Sequence, residues 1–236
     1  MIEGAKAAYR AILAIDDETP CLIRFVRRAI GERQNARVVD VGCGYGRTLR
    51  GLRQAGIEAI GIDVNPRIVA TNKKAGLSCF TPEEFERLAM DADVVVMSHV
   101  VEHFAPRDLM AFMDNYLARL RTGGYLIIAT PLLTERFFDD FDHIKPYQPL
   151  GFSMVFGGES AQVQYYGRNR LRMVDLWFRR SPYAIAYARG LYIKSTPTPL
   201  LRLINLVGAL AYRMSAGAIG HASGWVALFE KVEHEG

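Results

Sequence analysis

The residues of this chain that could do chemistry fall in a few short stretches. The first is Val38-Val39-Asp40-Val41-Gly42-Cys43-Gly44-Tyr45-Gly46, where an apolar run closes around an acid and three glycines follow at alternate positions. Glycine has no Cβ, so such a loop can turn tightly from a strand into a helix and let a ligand approach the backbone. A second acid, Asp63, ends the run Glu58-Ala59-Ile60-Gly61-Ile62. Its distance from the glycines, about 20 residues, suits a ribose-binding acid in a nucleotide-binding βαβ unit, and its two oxygens can accept from both ribose hydroxyls. A third stretch, His99-Val100-Val101-Glu102-His103, offers imidazoles and a carboxylate, which can act as bases or as ligands of a borderline divalent metal. A fourth, Asp142-His143, places a histidine able to take up a proton near neutral pH beside an acid.

The elements that must position these residues alternate. Arg37 to Asp40 reads as a strand, followed by a helix over about Gly46 to Ala55. Glu58 to Asp63 is a second strand, with a helix from Pro66. Ser78-Cys79-Phe80 precedes Thr81-Pro82-Glu83-Glu84, a composition suited to a helix start. Asp93 to Ser98, a helix over about Pro106 to Leu120 and the strand Tyr125 to Thr130 continue the pattern. Such alternation predicts an α/β fold, a mostly parallel Rossmann-like sheet of seven strands with helices on both faces. Ligands of such sheets bind beyond the carboxyl ends of the strands, where the glycines and acids fall.

In their order and spacing, the glycine stretch, Asp63, Asp91 to Phe104 and Gly123-Gly124-Tyr125 to Pro131 resemble the motifs of class I S-adenosylmethionine-dependent methyltransferases, and the wider pattern is similar to bacterial methyltransferases acting on sugars, glycolipids and quinone precursors. The resemblance implies S-adenosylmethionine as cofactor. It places Gly42, Cys43, Gly44, Tyr45 and Gly46 along the methionine part, and Asp40 near the amino group. Asp63 then holds the ribose and Val64 covers the adenine, while Thr81 stands where relatives often carry an acid. Ser98 and His99 complete the expected cofactor contacts. The loop from His99 resembles the Glu-x-x-Glu-His element that holds a metal in some relatives. Here the first position is His99, and the expectation is no metal, with Glu102 and His103 ordering the loop. Relatives place substrate-facing residues after the fifth strand, so His143 is the first candidate base and His99 the second; hydrogen bonding within a loop is the other role open to His143.

The last third departs from a minimal fold of this kind. Ala161 to Tyr166 reads as a sixth strand and Gly224 to Val232 as the seventh, leaving 167–221 as a basic helical insert. The expected organisation is therefore an N-terminal helical region, 1–35, a core of 36–166 and 222–236, and the insert. The insert carries nine basic residues and one acid, a net +8 where the whole chain of 236 residues carries +4. Its run Pro199 to Arg213 is amphipathic. Three roles fit: a cap on the sheet, a surface for anionic membrane or a lipid-linked substrate, or a phosphate-binding face for nucleic acid. Without a recognised RNA-binding signature, nucleic acid ranks below lipid or glycan, and Arg179, Arg180 and Arg189 are the expected surface contacts.

The expected activity is O-methylation of a small-molecule, glycan or lipid-linked acceptor. An RNA methyltransferase and a non-catalytic, membrane-associated cofactor-binding protein are the alternatives. Cys21, Cys43 and Cys79 match no metal spacing and suit a reduced setting. The N-terminus lacks the apolar core of a signal peptide, and no run of about 18 uncharged apolar residues occurs. A cytoplasmic protein, peripheral at the inner face of the membrane, is the corresponding expectation.

Overall fold

The structure is a computed structural model that describes residues 17–157, 163, 166–185, 187–188 and 199–233. The chain divides into two compact units. One comprises Glu18–Trp177 and Trp225–Gly236, the other Met1–Asp17 and Phe178–Gly224.

The larger unit holds the alternating elements. In order they are α1 (Glu18–Ile30), β1 (Val38–Val41), α2 (Arg47–Gln54), β2 (Ala59–Ile62), α3 (Pro66–Lys74), β3 (Cys79–Phe80), α4 (Pro82–Arg87), β4 (Ala92–Ser98), α5 (Pro106–Arg119), β5 (Leu120–Pro131) and α6 (Pro149–Gly157). The chain ends of the sheet are β6 (Arg170–Ser181) and β7 (His221–Val232), with the helix α7 (Pro199–Met214) between them. The seven strands lie in the order β3-β2-β1-β4-β5-β7-β6, and the pairings from β3 through β5 are parallel. The order reverses between β1 and β4, so their carboxyl ends flank the crevice where α/β sheets bind ligands.

Both faces of the sheet are covered. On one, Leu22, Phe25, Val26 and Ala29 of α1 pack with Leu52 of α2 against Val38, Val94, Val96 and Ile127. On the other, Leu109, Met113 and Leu117 of α5, spaced four apart, pack with Phe152 and Phe156 of α6 against Val95, Met97, Ile128 and Trp225. A strand buried on both faces must be apolar throughout. This is why the Val94-Val95-Val96-Met97 run of β4 is continuous rather than alternating.

Three expected boundaries move. The N-terminal helical region was expected as a separate 1–35; residues 1–16 lie outside the described residues, and α1 belongs to the larger unit's core. The sixth strand was expected at Ala161 to Tyr166, of which most residues lie outside the described ones; the sixth strand of the sheet is β6, which begins three residues into the expected helical insert 167–221 and lies wholly within it. The seventh begins at His221 rather than Gly224.

The smaller unit is held by polar ties to backbone. The Arg180 guanidinium donates to the carbonyls of Gly217 (2.8 Å), Ala218 (3.3 Å) and Gly220 (2.6 Å). Arg179 donates to Oγ and the carbonyl of Ser223 at 3.2 and 3.1 Å. The Tyr212 hydroxyl lies 3.0 Å from both the Asp17 carboxylate and the carbonyl of Arg180. Of the arginines expected at an anionic surface, Arg180 ties down the turn before β7 and Arg179 binds Ser223 within β7; Arg189 lies outside the described residues.

Candidate functional site

The glycine loop after β1 is fixed by its neighbours. The amides of Gly42 and Cys43 both donate to the carbonyl of Ile62, at 2.8 and 2.9 Å, which ties the end of β1 to β2. Gly42 has φ of +72°, and a Cβ there would meet Val100 Cγ2 at 2.4 Å, so no side chain fits. Gly44, at φ +50°, differs: the space a Cβ would take is open. That opening leads into a cavity of about 300 Å³.

Its walls come from three places in the chain. Asp40, Gly42, Cys43, Gly44 and Tyr45 supply the loop, with Arg47 and Thr48 at the start of α2. Ser98 and His99 come from the end of β4, and Glu18, Thr19 and Leu22 from the start of α1. Of the residues expected to hold a cofactor, Asp40, Gly42, Cys43, Gly44, Tyr45, Ser98 and His99 thus stand together. Gly46, Asp63, Val64 and Thr81 are not on these walls. Gly46 makes room for Leu77 and Asn72. Asp63 is buried beneath the loop, its oxygens accepting from the amides of Gly44 (2.9 Å) and Asn65 (2.8 Å). A carboxylate has roughly four acceptor positions, so capacity remains for a ligand hydroxyl. Val64 is exposed. Thr81 is the N-cap of α4, its hydroxyl accepting from Glu84 N and its amide donating back to the Glu84 carboxylate. That capping box accounts for the threonine without a ligand.

Asp40 is buried, and its Oδ2 has no hydrogen-bond partner. Burial, reinforced by the charge of Asp63, pushes its pKa up to about 8. A buried carboxylate without a donor is costly to ionise, so this wall of the cavity favours a cation. The combination of an orphaned carboxylate, an open glycine backbone and a second acid under the loop fits the amino-acid end and ribose of S-adenosylmethionine.

Behind His99 lies a chain of buried charges. His99 Nε2 is 2.9 Å from Glu18 Oε1, and its Nδ1 is 3.2 Å from Glu102 Oε1. Thr130 on β5 donates to Glu102 Oε2 at 2.9 Å. Burial opposes the imidazolium, but the carboxylates of Glu102 and Glu18 outweigh it and raise the His99 pKa to about 9. His99 also adopts φ of +56°, a left-handed conformation that costs a non-glycine residue about 1 kcal/mol or more. The ion pairs on both ring nitrogens hold it there. Glu18 was not anticipated as a site residue. The run Asp16-Asp17-Glu18 before Thr19-Pro20 signals only a helix start, and its counter-ion lies 81 residues away in the chain.

Glu102 leads on to the loop after β5. Its carbonyl accepts from the amides of Ile144 (2.8 Å) and Lys145 (3.2 Å). His143 Nδ1 lies 2.6 Å from the carbonyl of Phe137, and His103 Nδ1 lies 3.1 Å from that of Asp142. A carbonyl can only accept, so each Nδ1 carries the hydrogen and each Nε2 keeps its lone pair in the neutral ring. Among the described residues, Glu102, His103 and His143 bring one ligand atom each within 4.8 Å of one another. This group differs from His99, Glu102 and His103, the loop residues that resemble a metal-holding element although no metal was expected there; His99 Nε2 faces Glu18 instead. Carboxylate and imidazole ligands of this kind could hold a divalent ion, although the His99 cation already balances Glu102. A second, mostly apolar cavity of about 360 Å³ adjoins this loop, walled by Leu109, Met110, Phe152, Val155 and Phe156, with Lys145 and Tyr147 among its lining residues.

Comparison with known proteins agrees with this geometry. The profile of a family described as "Methyltransferase domain" matches residues 16–181. A ubiquinone biosynthesis O-methyltransferase of Parvibaculum lavamentivorans is 30% identical over 111 residues, 44% of this chain and 43% of that protein. One from Rhizobium etli is 32% identical over 105 residues, 41% of this chain and 42% of that protein. The chain thus spans less than half the length of the curated relatives it matches. Among solved structures, a SAM dependent methyltransferase from Archaeoglobus fulgidus superposes with a TM-score of 0.55 at 22% identity, covering 91% of this chain and 95% of that one. Magnesium protoporphyrin IX methyltransferase from Synechocystis, solved with bound SAM, gives a TM-score of 0.53 at 12% identity over 91% of this chain and 78% of that one. These likenesses show the fold, and the seven-stranded, mostly parallel sheet expected from the sequence is the one found.

Proposed function

Since the chain belongs to the methyltransferase-domain family, we propose that it transfers a methyl group from S-adenosylmethionine to a hydroxyl oxygen of a small, glycan or lipid-linked acceptor. The observation that carries this reading is Asp40: a buried carboxylate, short of a donor, on the wall of the cavity beneath an open glycine backbone. When bound, the cofactor supplies a methyl group activated by a positively charged sulfur.

The residues of the chain do the rest. Asp40 pairs with the cationic amino group of the ligand, and the backbone at Gly44 lies against its amino-acid portion. Asp63 holds the loop in shape through the Gly44 amide and accepts from the ribose with its remaining lone pairs. His99, its nitrogens facing Glu18 and Glu102, keeps its proton up to about pH 9. It is therefore a fixed cation on the cavity wall and unsuited to be the base. His143 has the opposite character. Its Nδ1–H is fixed on the carbonyl of Phe137, and its Nε2 is available to take the acceptor's hydroxyl proton. The Asp140 carboxylate, 3.8 Å from Nε2, stabilises the charge that results. The neighbouring apolar cavity suits the non-polar part of a lipid-linked acceptor. The names of the partial relatives support oxygen as the methylated atom.

The test is turnover of methyl-labelled S-adenosylmethionine with fractionated cell extract. Label in an organic-soluble or glycan product, with S-adenosylhomocysteine released in equal amount, supports the proposal. Ribonuclease-sensitive label would assign an RNA acceptor, and absence of binding and turnover together would refute the reading.

A further inference from the structure

The helix α7 has two apolar faces, and the smaller unit uses only one. Leu201, Ala209 and Tyr212 are buried. On the same side, Asn205 accepts from the amide of Ile185 at 2.8 Å, and Gly208 sits so close that a Cβ would meet the Tyr183 carbonyl at 2.3 Å. Turned away from these, Leu200, Leu203, Ile204, Val207, Leu210 and Met214 are between 40 and 88% exposed. At 3.6 residues per turn, these six fall within an arc of about 120°. Scattered exposed leucines are ordinary, but six large apolar side chains on one helical face form a patch that marks a binding surface.

We propose that this face of α7 embeds in the surface of an anionic lipid bilayer, with the helix lying in the plane of the membrane. The helix has 16 residues, about 24 Å at 1.5 Å per residue, and no helix among the described residues is long and apolar enough to cross a membrane. Lying in the interface is then the geometry that buries the face. Charge selects the partner. Residues 178–224 contain Arg179, Arg180, Arg189, Lys194, Arg202 and Arg213 and no Asp or Glu. Symmetric pairing of two copies through α7 would bring two such wholly basic segments together, which like-charge repulsion opposes. An anionic lipid surface complements them. Arg202 and Arg213, both exposed, lie on one flank of the helix, about 60–80° beyond the edge of the apolar arc, from where long side chains can reach up to headgroups around a shallowly embedded helix. The adhesion proposed here is apolar insertion assisted by charge, and it does not depend on Arg179 and Arg180, which are spent on the carbonyls of their own unit.

The experiment is co-sedimentation of the full chain with phosphatidylcholine vesicles, with and without phosphatidylglycerol, comparing wild type with Leu203→Asn plus Val207→Asn. Both changed side chains are exposed, and unaltered thermal melting and S-adenosylhomocysteine binding verify that the variant is folded. We expect wild type to bind the anionic vesicles, the double variant to bind at least about tenfold more weakly, and a residual wild-type fraction to persist in high salt, since apolar burial is not screened. Arg202→Gln should weaken binding about fivefold, the effect of one basic residue at an anionic surface. Three outcomes overturn the proposal: no binding of wild type to anionic vesicles, equal binding of the double variant, or a wild-type dimer that the double variant dissolves without any vesicle binding.

Discussion

Binding of the cofactor should expel a proton from Asp40, and the amount can be worked out. With a pKa near 8, raised by burial and by Asp63, Asp40 is protonated in roughly nine of ten molecules at pH 7. A ligand ammonium placed beside it favours the carboxylate and lowers that pKa. Binding therefore releases about 0.9 proton at pH 7 and about half a proton at pH 8, and affinity rises close to tenfold from pH 6 to pH 7 before flattening above 8. The assay is calorimetric titration of S-adenosylhomocysteine, which keeps the amino-acid end, in phosphate and in Tris at the same pH. Because the buffers differ in ionisation enthalpy, the difference in heat measures the proton. Asp40→Asn should remove both the buffer difference and the pH slope. In the unliganded protein the sign runs the other way. Folded Asp40 holds its proton more tightly than the unfolded chain, whose pKa is 3.8, so stability falls as pH climbs from about 4 to about 8. Equal heats in both buffers, with affinity flat from pH 6 to 8, would refute the reasoning.

Further outcomes follow from the same geometry. Asp63→Ala should weaken S-adenosylhomocysteine binding by about 1–3 kcal/mol, since it removes a charged acceptor and loosens Gly44, and unchanged affinity in calorimetry would remove it from the site. His143→Ala should lower kcat by about 100-fold or more while leaving cofactor affinity intact, as loss of a general base does; a loss confined to KM would assign it to acceptor positioning instead. His99 has a folded pKa raised from 6.5 to about 9, so its stabilising ion pairs are fully present below about pH 6.5 and lost as pH rises through about 9. The melting temperature of wild type should drop over that upper range, and that of His99→Gln should not. Turnover should survive EDTA, because the His99 cation already balances Glu102; activity abolished by chelator and restored by a divalent ion would show that Glu102, His103 and His143 hold a metal.

The sheet was legible where one signal sufficed. The uninterrupted Val94 to Met97 run and the alternate glycines after Asp40 each allow few conformations, and their positions followed. β6 was not legible because it is the edge of the sheet. Edge strands tolerate charge, which blocks pairing with other chains, so Arg170, Arg172, Arg179 and Arg180 made a strand look like a basic insert. The site divided in the same way. Residues fixed by the local turn were foreseen on sequence grounds, and the cavity wall holds Asp40 and Gly42 to Tyr45 together. Glu18 was missed because its burial is created by α1 packing on the sheet, and its partner His99 comes from a distant strand. Thr81 was read both as a helix start and as a cofactor contact, and the capping box accounts for the first role.

Glu102 belongs to both ends of the site. Its side chain faces His99 on the cavity wall and is held by Thr130, while its carbonyl anchors the amides of Ile144 and Lys145 beside the candidate base. Those contacts give the two ends of the site a shared residue through which they would be coupled. Such linkage is reciprocal: the factor by which an occupied cofactor cavity tightens acceptor binding near His143 must equal the factor by which acceptor tightens the hold on cofactor. Glu102→Gln, which keeps the shape and removes the charge, should bring the two binding events closer to independence.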